Sequence, residues 1–305
     1  MQTSICLGRR REMQFMGYRR ADGRVGVRNY VLILPGCACA SETCRLVASE
    51  VRGTKNVIMN VGCSDVQANT DMNLRVLTGF ALNPNVFGVI VIGLGCETVG
   101  HRELAAKIRA ETSKPVVSFG IQEIGGTVAT TAAAVKAARE MVAQASEQQR
   151  EPCDASDLFV AIECGGSDAT SGIASNPAVG NMSDRIVDLG GTTMMSETIE
   201  FVGAEHILAK RGATPEIHDQ IIRICEDYEK HLAGVGQDCR TGQPTTGNKA
   251  GGLSTIEEKS LGCIHKGGTR PVVEVLQEAA RPTKKGALIM DTPGYDICLL
   301  YTSDA

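Results

Sequence analysis

The sequence predicts an α/β protein built from two Rossmann-like parallel-sheet domains, the second truncated, and three observations predict it. Short β-branched runs alternate with helix-period segments along most of the 305 residues. The runs are continuously apolar, as strands covered on both faces must be. Four cysteines, Cys39, Cys63, Cys96 and Cys164, each lie just past such a run. That is the carboxyl edge, where parallel sheets bind their ligands.

Taken in order, residues 1–14 read as a disordered lead. In a first domain over 15–150, strands are expected at 30–34, 56–61, 86–92 and 115–119, with helices at 41–51, 67–78, 102–111 and 127–145. The polar stretch from Glu147 to Asp154 reads as a linker. In a second domain over 151–297, strands are expected at 158–162, 192–196 and 287–290. Its helices are expected at 176–188, 204–209, 215–232 and 271–279. The glycine-rich span 234–268 is weakly periodic, and a loop of that length in a compact enzyme is a functional segment or a lid.

Residues 298–305 read as a translated sequencing adapter, and the natural protein is expected to continue. The second domain would then carry an open sheet edge at strand 287–290. On that reading residues 1–305 alone are poorly soluble or inactive, and the natural C-terminus restores both.

Composition excludes several classes. The formal net charge is −4 and no Lys/Arg block stands out, which gives no reason to expect nucleic acid. Aromatics are scarce, with no Trp, 6 Phe and 5 Tyr, so base stacking has no platform. No apolar stretch of about 18 residues spans a membrane. The N-terminus lacks the apolar core of a signal peptide, which points to the cytoplasm. There the 12 cysteines stay thiols.

Four sulfurs at strand ends suit iron, as a ferrous ion or an iron–sulfur cluster, because thiolates are soft ligands. Three thiolates with one open iron position suit removal of a hydroxyl group. Zinc fits less well, since structural zinc ligands come in local pairs. The segment from Glu163 to Pro177 sets Ser167, Asp168, Thr170, Ser171 and Asn176 after a strand, where backbone N–H groups and hydroxyls can receive a carboxylate. Lys266, in Cys263-Ile-His-Lys-Gly-Gly268, can serve as a base or as a cation on a carboxylate. Glu197 follows an apolar run and is a general acid/base candidate. Arg24 and Arg28 alternate along an extended segment and could clamp an anion. Gly93-Leu-Gly-Cys-Glu-Thr-Val-Gly100 is not a dinucleotide fingerprint, because its third glycine is displaced. Gly242-Gln-Pro-Thr-Thr-Gly-Asn-Lys249 is not a P-loop, because Asn248 stands where the lysine belongs.

The same segments resemble the altronate/galactarate dehydratase family. The similarity lies in Gly17-Tyr-Arg-Arg-Ala-Asp-Gly-Arg-Val-Gly-Val-Arg-Asn29, Val91-Ile-Gly-Leu-Gly-Cys-Glu97, Glu163-Cys-Gly-Gly-Ser-Asp168 through Pro177, Ser196-Glu197, Gly203-Ala-Glu205, Gly247-Asn-Lys-Ala-Gly-Gly252, Glu258-Lys-Ser-Leu-Gly262, Lys266 and Asp291-Thr-Pro-Gly-Tyr-Asp296. The resemblance covers nearly the whole chain. It implies an iron-dependent lyase that dehydrates a sugar acid such as altronate or galactarate to a 2-keto-3-deoxy acid. The resemblance does not itself assign the metal ligands; on the residue reading above, a subset of Cys39, Cys63, Cys96 and Cys164 holds the iron, and Lys266, Glu197 and Asp168 form the catalytic set. Arg24, Arg28, Asn29, Ser167, Thr170, Ser171, Asn176 and Asn248 would bind substrate. Family members also carry a small N-terminal β domain, so a separate small subunit is an implied partner, alongside a homo-oligomer. The family includes the large subunit of sulfolactate sulfo-lyase, which makes release of sulfite from sulfolactate the alternative reaction. A non-catalytic α/β ligand-binding protein is the reading from another class. It expects the four sulfurs not to converge.

Overall fold

A computed structural model describes residues 13–292 of the chain. Residues 293–305, which include the stretch read as an adapter, and the lead up to residue 12 lie outside the described residues.

Strands β1 (Gln14–Arg19) and β2 (Val25–Gly26) open the chain, and β1 pairs antiparallel with both β2 and the later β7 (Glu151–Asp154). The sequence reading put a linker at β7 and named no strand at β1 or β2. β1 and β7 instead complete each other's backbone hydrogen bonds, a pairing between residues 14–17 and 151–154 that no local pattern reveals.

The first parallel sheet follows, with β3 (Tyr30–Pro35), β4 (Thr54–Asn56), β5 (Val86–Gly93) and β6 (Val116–Gly120) in the order β4-β3-β5-β6. Helices α1 (Ala38–Glu50), α2 (Gln67–Leu82), α3 (His101–Glu111), α4 (Ile121–Ile124) and α5 (Thr127–Glu147) join and cover it. Alternate side chains of β3 and β5 serve two cores. Val31, Ile33, Ile90 and Ile92 pack with Cys44 and Val47 of α1 and Ala134 and Ala138 of α5. Leu32, Leu34, Val89 and Val91 pack with Leu77 of α2 and Leu104 and Ile108 of α3. The strand expected at 56–61 is shorter and lies earlier, at Thr54–Asn56, sharing only Asn56 with the expected span. Pairing stops at Asn56, and residues 57–66 run along the carboxyl edge.

The second parallel sheet contains β8 (Phe159–Ile162), β9 (Thr192–Met195), β10 (Val272–Gln277) and β11 (Ala287–Asp291) in the order β10-β11-β9-β8. Two sequence expectations are corrected here. The helix expected at 271–279 is strand β10 over Val272–Gln277, because Val272, Val273 and Val275 favour the pleated ladder with β11. Strand β11 has no open edge, since β9 and β10 pair with its two sides. The helices are α6 (Ser175–Asp188), α7 (Glu205–Leu208), α8 (Pro215–Gly234), α9 (Cys239–Gly242), α10 (Thr246–Ala250) and α11 (Ile256–Cys263). The last three, with a 3-10 turn at Ile264–Gly267, are the ordered form of the weakly periodic span 234–268. They lie over the end of the sheet rather than in a free loop. Gly180 of α6 permits this approach, since a Cβ there would stand 2.2 Å from the His265 carbonyl.

Candidate functional site

Strands β8 and β9 end side by side, and each is followed by a reactive residue. Cys164 comes two residues after β8 and Glu197 two residues after β9. Glu197 has φ +66° and ψ +74°, a left-handed conformation that costs a residue with a Cβ about 1–2 kcal/mol. The backbone is locked there by its N–H, which donates to Thr292 Oγ1 at 2.8 Å, and the side chain turns back to accept the Cys164 N–H at 2.8 Å. Strain of this kind at a strand end is characteristic of functional positions.

The 3-10 turn after Glu197 delivers Glu200 to the same place. The Cys164 sulfur and carboxylate oxygens of Glu197 and Glu200 all lie within 4.8 Å of one another, the one such group of potential metal donors among the described residues. Glu200 is 2% exposed, and its Oε2 accepts a hydrogen bond from Lys266 Nζ. Its Oε1 is buried without a hydrogen-bond partner and stands 3.8 Å from Lys259 Nζ. Burial alone would push Glu200 up and Lys266 down. Their mutual attraction outweighs it, holding the carboxyl below its usual range and the ammonium above. Burial, reinforced by Glu200, pushes the thiols of Cys164 and of neighbouring Cys263 up.

Beside this cluster opens a cleft of about 260 Å³. Ser167, Asp168, Ser171, Asn176, Glu258, Lys259 and His265 supply its polar lining. Asn176 donates to the Gly262 carbonyl at 3.0 Å and so joins α6 to α11. Ser167 Oγ lies 3.5 Å from the Cys164 sulfur, and its carbonyl accepts the Asn248 side chain at 2.8 Å. Asp168 Oδ1 takes the N–H and hydroxyl groups of both Thr170 and Ser171, which keep its carboxyl below the usual range. Thr170, Ser171, Asp168 and Asn248 therefore shape the cleft wall by bonding to one another or to its backbone.

The structure thus brings Lys266, Glu197, Cys164, Ser167, Asp168, Ser171 and Asn176 to one locality. It separates them from the remaining predicted residues. Arg24, expected as a carboxylate clamp, donates to the Leu82 carbonyl at 2.7 Å and pairs with Asp22, so it caps the C-terminus of α2. The Arg28 backbone N–H donates to Asn85 Oδ1 at 3.0 Å, and Asn29 Nδ2 donates to the Ala145 carbonyl at 2.8 Å. These three precede β3 and sit at the amino edge of the first sheet, opposite the edge that carries Cys39, Cys63 and Cys96. A six-residue strand of about 3.3 Å per residue lies between the two edges. The three first-domain cysteines are exposed and follow β3, β4 and β5, whereas Cys164 belongs to the other sheet. The four do not form one tight donor group among the described residues.

Glu200, Lys259 and Cys263 are the site residues that sequence reasoning missed. Two signals were available: the Glu197/Glu200 spacing after a strand, and Lys259 and Cys263 flanking Ser-Leu-Gly in the same segment as Lys266.

Comparison with known proteins adds the family. The description "D-galactarate dehydratase/Altronate hydrolase, second domain" matches residues 17–146, and "D-galactarate/Altronate dehydratase, C-terminal" matches residues 155–304. The chain is 41% identical over 283 residues to the (2R)-sulfolactate sulfo-lyase subunit beta of Chromohalobacter salexigens, covering 91% of this chain and 71% of that protein. It is 34% identical over 293 residues to the altronate dehydratase of Bacillus subtilis, covering 93% and 58%. It is 35% identical over 301 residues to the galactarate dehydratase (L-threo-forming) of Escherichia coli, covering 92% and 57%. The chain therefore spans somewhat more than half the length of these two dehydratases.

Proposed function

The chain belongs to the galactarate/altronate dehydratase family, and from that premise we propose that it is a carbon–oxygen lyase dehydrating a sugar acid to a 2-keto-3-deoxy acid. The observation that carries this reading is the cluster of half-buried Cys164 with buried Glu197, Glu200 and Lys266 beside a polar cleft.

β-Elimination from a 2-hydroxy acid must remove a weakly acidic proton at C2 and expel a hydroxide from C3. A cation on the carboxylate makes the first easier, and a Lewis or general acid makes the second easier. Lys266 reads as a cation and not as a base, since Glu200 holds it protonated. Lys259, 9% exposed, lines the cleft and is the nearer candidate to meet a substrate carboxylate. Glu197 is left as the base, its carboxylate fixed by the strained backbone and the Cys164 N–H. Ser167, Ser171 and Asn176 supply hydroxyl and amide groups for a polyhydroxylated chain.

The donor set also fits a divalent metal such as ferrous iron. It pairs one soft sulfur with carboxylates, and the unpartnered Glu200 Oε1 faces the cluster. When bound by Cys164 and Glu200, such an ion would supply Lewis acidity toward the leaving hydroxyl. The remaining assignments follow the chemistry. Free thiols at the ten described cysteines suit a reducing cytoplasm. No helix of the described residues is long and apolar enough to cross a membrane.

The second reading replaces hydroxide with sulfite as the leaving group. The 41% identity to a sulfo-lyase subunit beta favours it, and it brings a separate small subunit as partner. Turnover by the full-length protein with ferrous iron, without oxygen, decides. Galactarate or altronate should yield a 2-keto-3-deoxy acid, and sulfite from sulfolactate would establish the second reading. Inertness toward every one of these acids, with and without a candidate small subunit, would overturn both.

A further inference from the structure

Arg211 is a largely buried cation that the lyase reading leaves without a task. It ends a 3-10 turn at Ala209–Arg211 and does not line the cleft. Burial pushes its guanidinium below the usual arginine value, and Asp184 opposes that only in part. No carboxylate among the described residues forms an ion pair with it. Asp184 is committed elsewhere, accepting the Thr269 N–H and hydroxyl at 2.7 Å each and the Arg270 N–H at 3.1 Å. A cation buried without a counter-ion lowers stability, so its presence needs another reason.

What the guanidinium holds is the segment that carries Lys266. Nη2 donates to the Gly267 carbonyl at 2.7 Å and to the Arg270 carbonyl at 2.8 Å, and Nε donates to the Arg270 carbonyl at 3.2 Å. Two acceptors three residues apart suit donors in a fixed planar fork, which a guanidinium supplies and a lysine ammonium does not. The fit around them is close. A Cβ on Gly267 would stand 2.5 Å from the Met195 sulfur and 2.9 Å from Arg211 Nη1. Gly268 has φ +71°, and a Cβ there would stand 2.2 Å from Asp184 Oδ1. Ser183 of α6 adds a longer bond to the same Gly267 carbonyl, at 3.3 Å.

Lys266 has to reach Glu200 from this segment. Its Nζ donates to Glu200 Oε2, while Glu200 Oε1 has no hydrogen-bond partner. A shift of the Gly267 carbonyl carries the neighbouring Lys266 backbone with it and pulls the ammonium from the carboxylate. The cleft wall has ties of its own, Asn176 to the Gly262 carbonyl and Asn248 to the Ser167 carbonyl, and need not follow. We propose that Arg211 is a positioning residue of the lyase site, its guanidinium fork setting the turn Ile264–Gly267 so that Lys266 meets Glu200. This inference rests on the lyase reading and adds to it a residue outside the cleft.

The full-length protein would be assayed on whichever of galactarate, altronate and sulfolactate the wild type converts. Arg211→Ala, Arg211→Lys and Arg211→Met would each be measured with and without millimolar ethylguanidinium. Arg211→Ala and Arg211→Lys should lose kcat roughly tenfold or more, with KM within about twofold of wild type. Ethylguanidinium should restore kcat to Arg211→Ala, whose vacated space admits it, and not to Arg211→Met, whose side chain fills that space. Wild-type kcat in Arg211→Ala and Arg211→Lys would overturn the proposal. So would a rise in KM at unchanged kcat, or a loss in a folded Arg211→Ala that ethylguanidinium does not relieve. Should Arg211→Ala fail to fold, Arg211→Lys carries the comparison: lost kcat at an unchanged melting temperature supports positioning, and wild-type kcat overturns it. Inertness of the wild type toward every acid would overturn the lyase reading itself, whereas an active wild type with unaffected Arg211 variants overturns only the positioning role.

Discussion

The two parallel sheets use their carboxyl edges in opposite ways. The first carries three exposed thiols, Cys39 in the first turn of α1 and Cys63 and Cys96 on loops after β4 and β5, above a core that is apolar on both faces. The second buries its chemistry: Glu197, Glu200, Lys259 and Lys266 are each 9% exposed or less. One edge is open and soft, whereas the other is closed and charged. The difference shows why the same strand-end position yields different chemistry: what decides it is whether later segments cover the edge. In the second domain α9, α10, α11 and the following 3-10 turn do so, and a covered edge can hold charges only in pairs.

The sharpest way to break this contrast is to leave one of those charges alone. Glu200→Ala strands Lys266 in the interior and should cost about 3–5 kcal/mol of stability, measured by chemical denaturation. The double change Glu200→Ala/Lys266→Met should recover much of that loss while activity stays absent. Equal instability of the single and double variants would show that the pair does not act as a unit.

Glu197 separates function from stability in the same domain. Its left-handed backbone favours glycine, so Glu197→Gly should be more stable than Glu197→Ala by ~1–2 kcal/mol. Both should lose turnover by roughly a hundredfold or more if the carboxylate is the base. Activity close to wild type in either variant would remove Glu197 from that role.

How far the sequence disclosed this molecule depends on how local each signal was. Strands β3 and β5 were legible because Val-Leu-Ile-Leu and Val-Ile-Val-Ile declare themselves within a few residues. Strand β10 was misread because Glu274, Gln277 and the alanines after it gave a helical rhythm that its valines outweigh only once β11 is beside it. The partner of Glu200 lies 66 residues away, so the ion pair left no local trace. The arginines show the limit most clearly. An Arg-x-x-x-Arg segment suits an anion clamp by residue type, but the acceptor that Arg24 meets is a helix-end carbonyl 58 residues downstream.

That capping role predicts a smaller effect. Arg24→Ala should lower stability by ~0.5–1 kcal/mol, as loss of a cation at a helix C-terminus does, and leave the KM for sugar acid unchanged. A large rise in KM with unchanged stability would instead restore Arg24 as a substrate clamp, supplied to a site across subunits.

A difference of similar size between the domains is in pH dependence. In the second, Lys266 is raised by its Glu200 partner against the opposing effect of burial, so its contribution is complete below the unfolded lysine value and is lost only as pH rises beyond it. Glu200 is lowered, so its contribution is complete above the unfolded carboxyl value and is lost only in acid. Between about pH 5 and pH 10 the pair should therefore leave stability flat. The first domain has the opposite case. Lys114 donates to the Ala81 carbonyl at 3.0 Å, and burial, then Arg24 and Arg20, lower it to about 6. Above that value the folded chain has released a proton that the unfolded chain still binds, so stability should rise with pH toward the unfolded lysine value. Lys114 is only partly buried, so water screens it, and the rise should be on the order of 1 kcal/mol between about pH 6 and pH 9. Denaturation midpoints across that range should climb for wild type and flatten for Lys114→Met. A wild-type slope that survives the substitution would place the titrating group elsewhere.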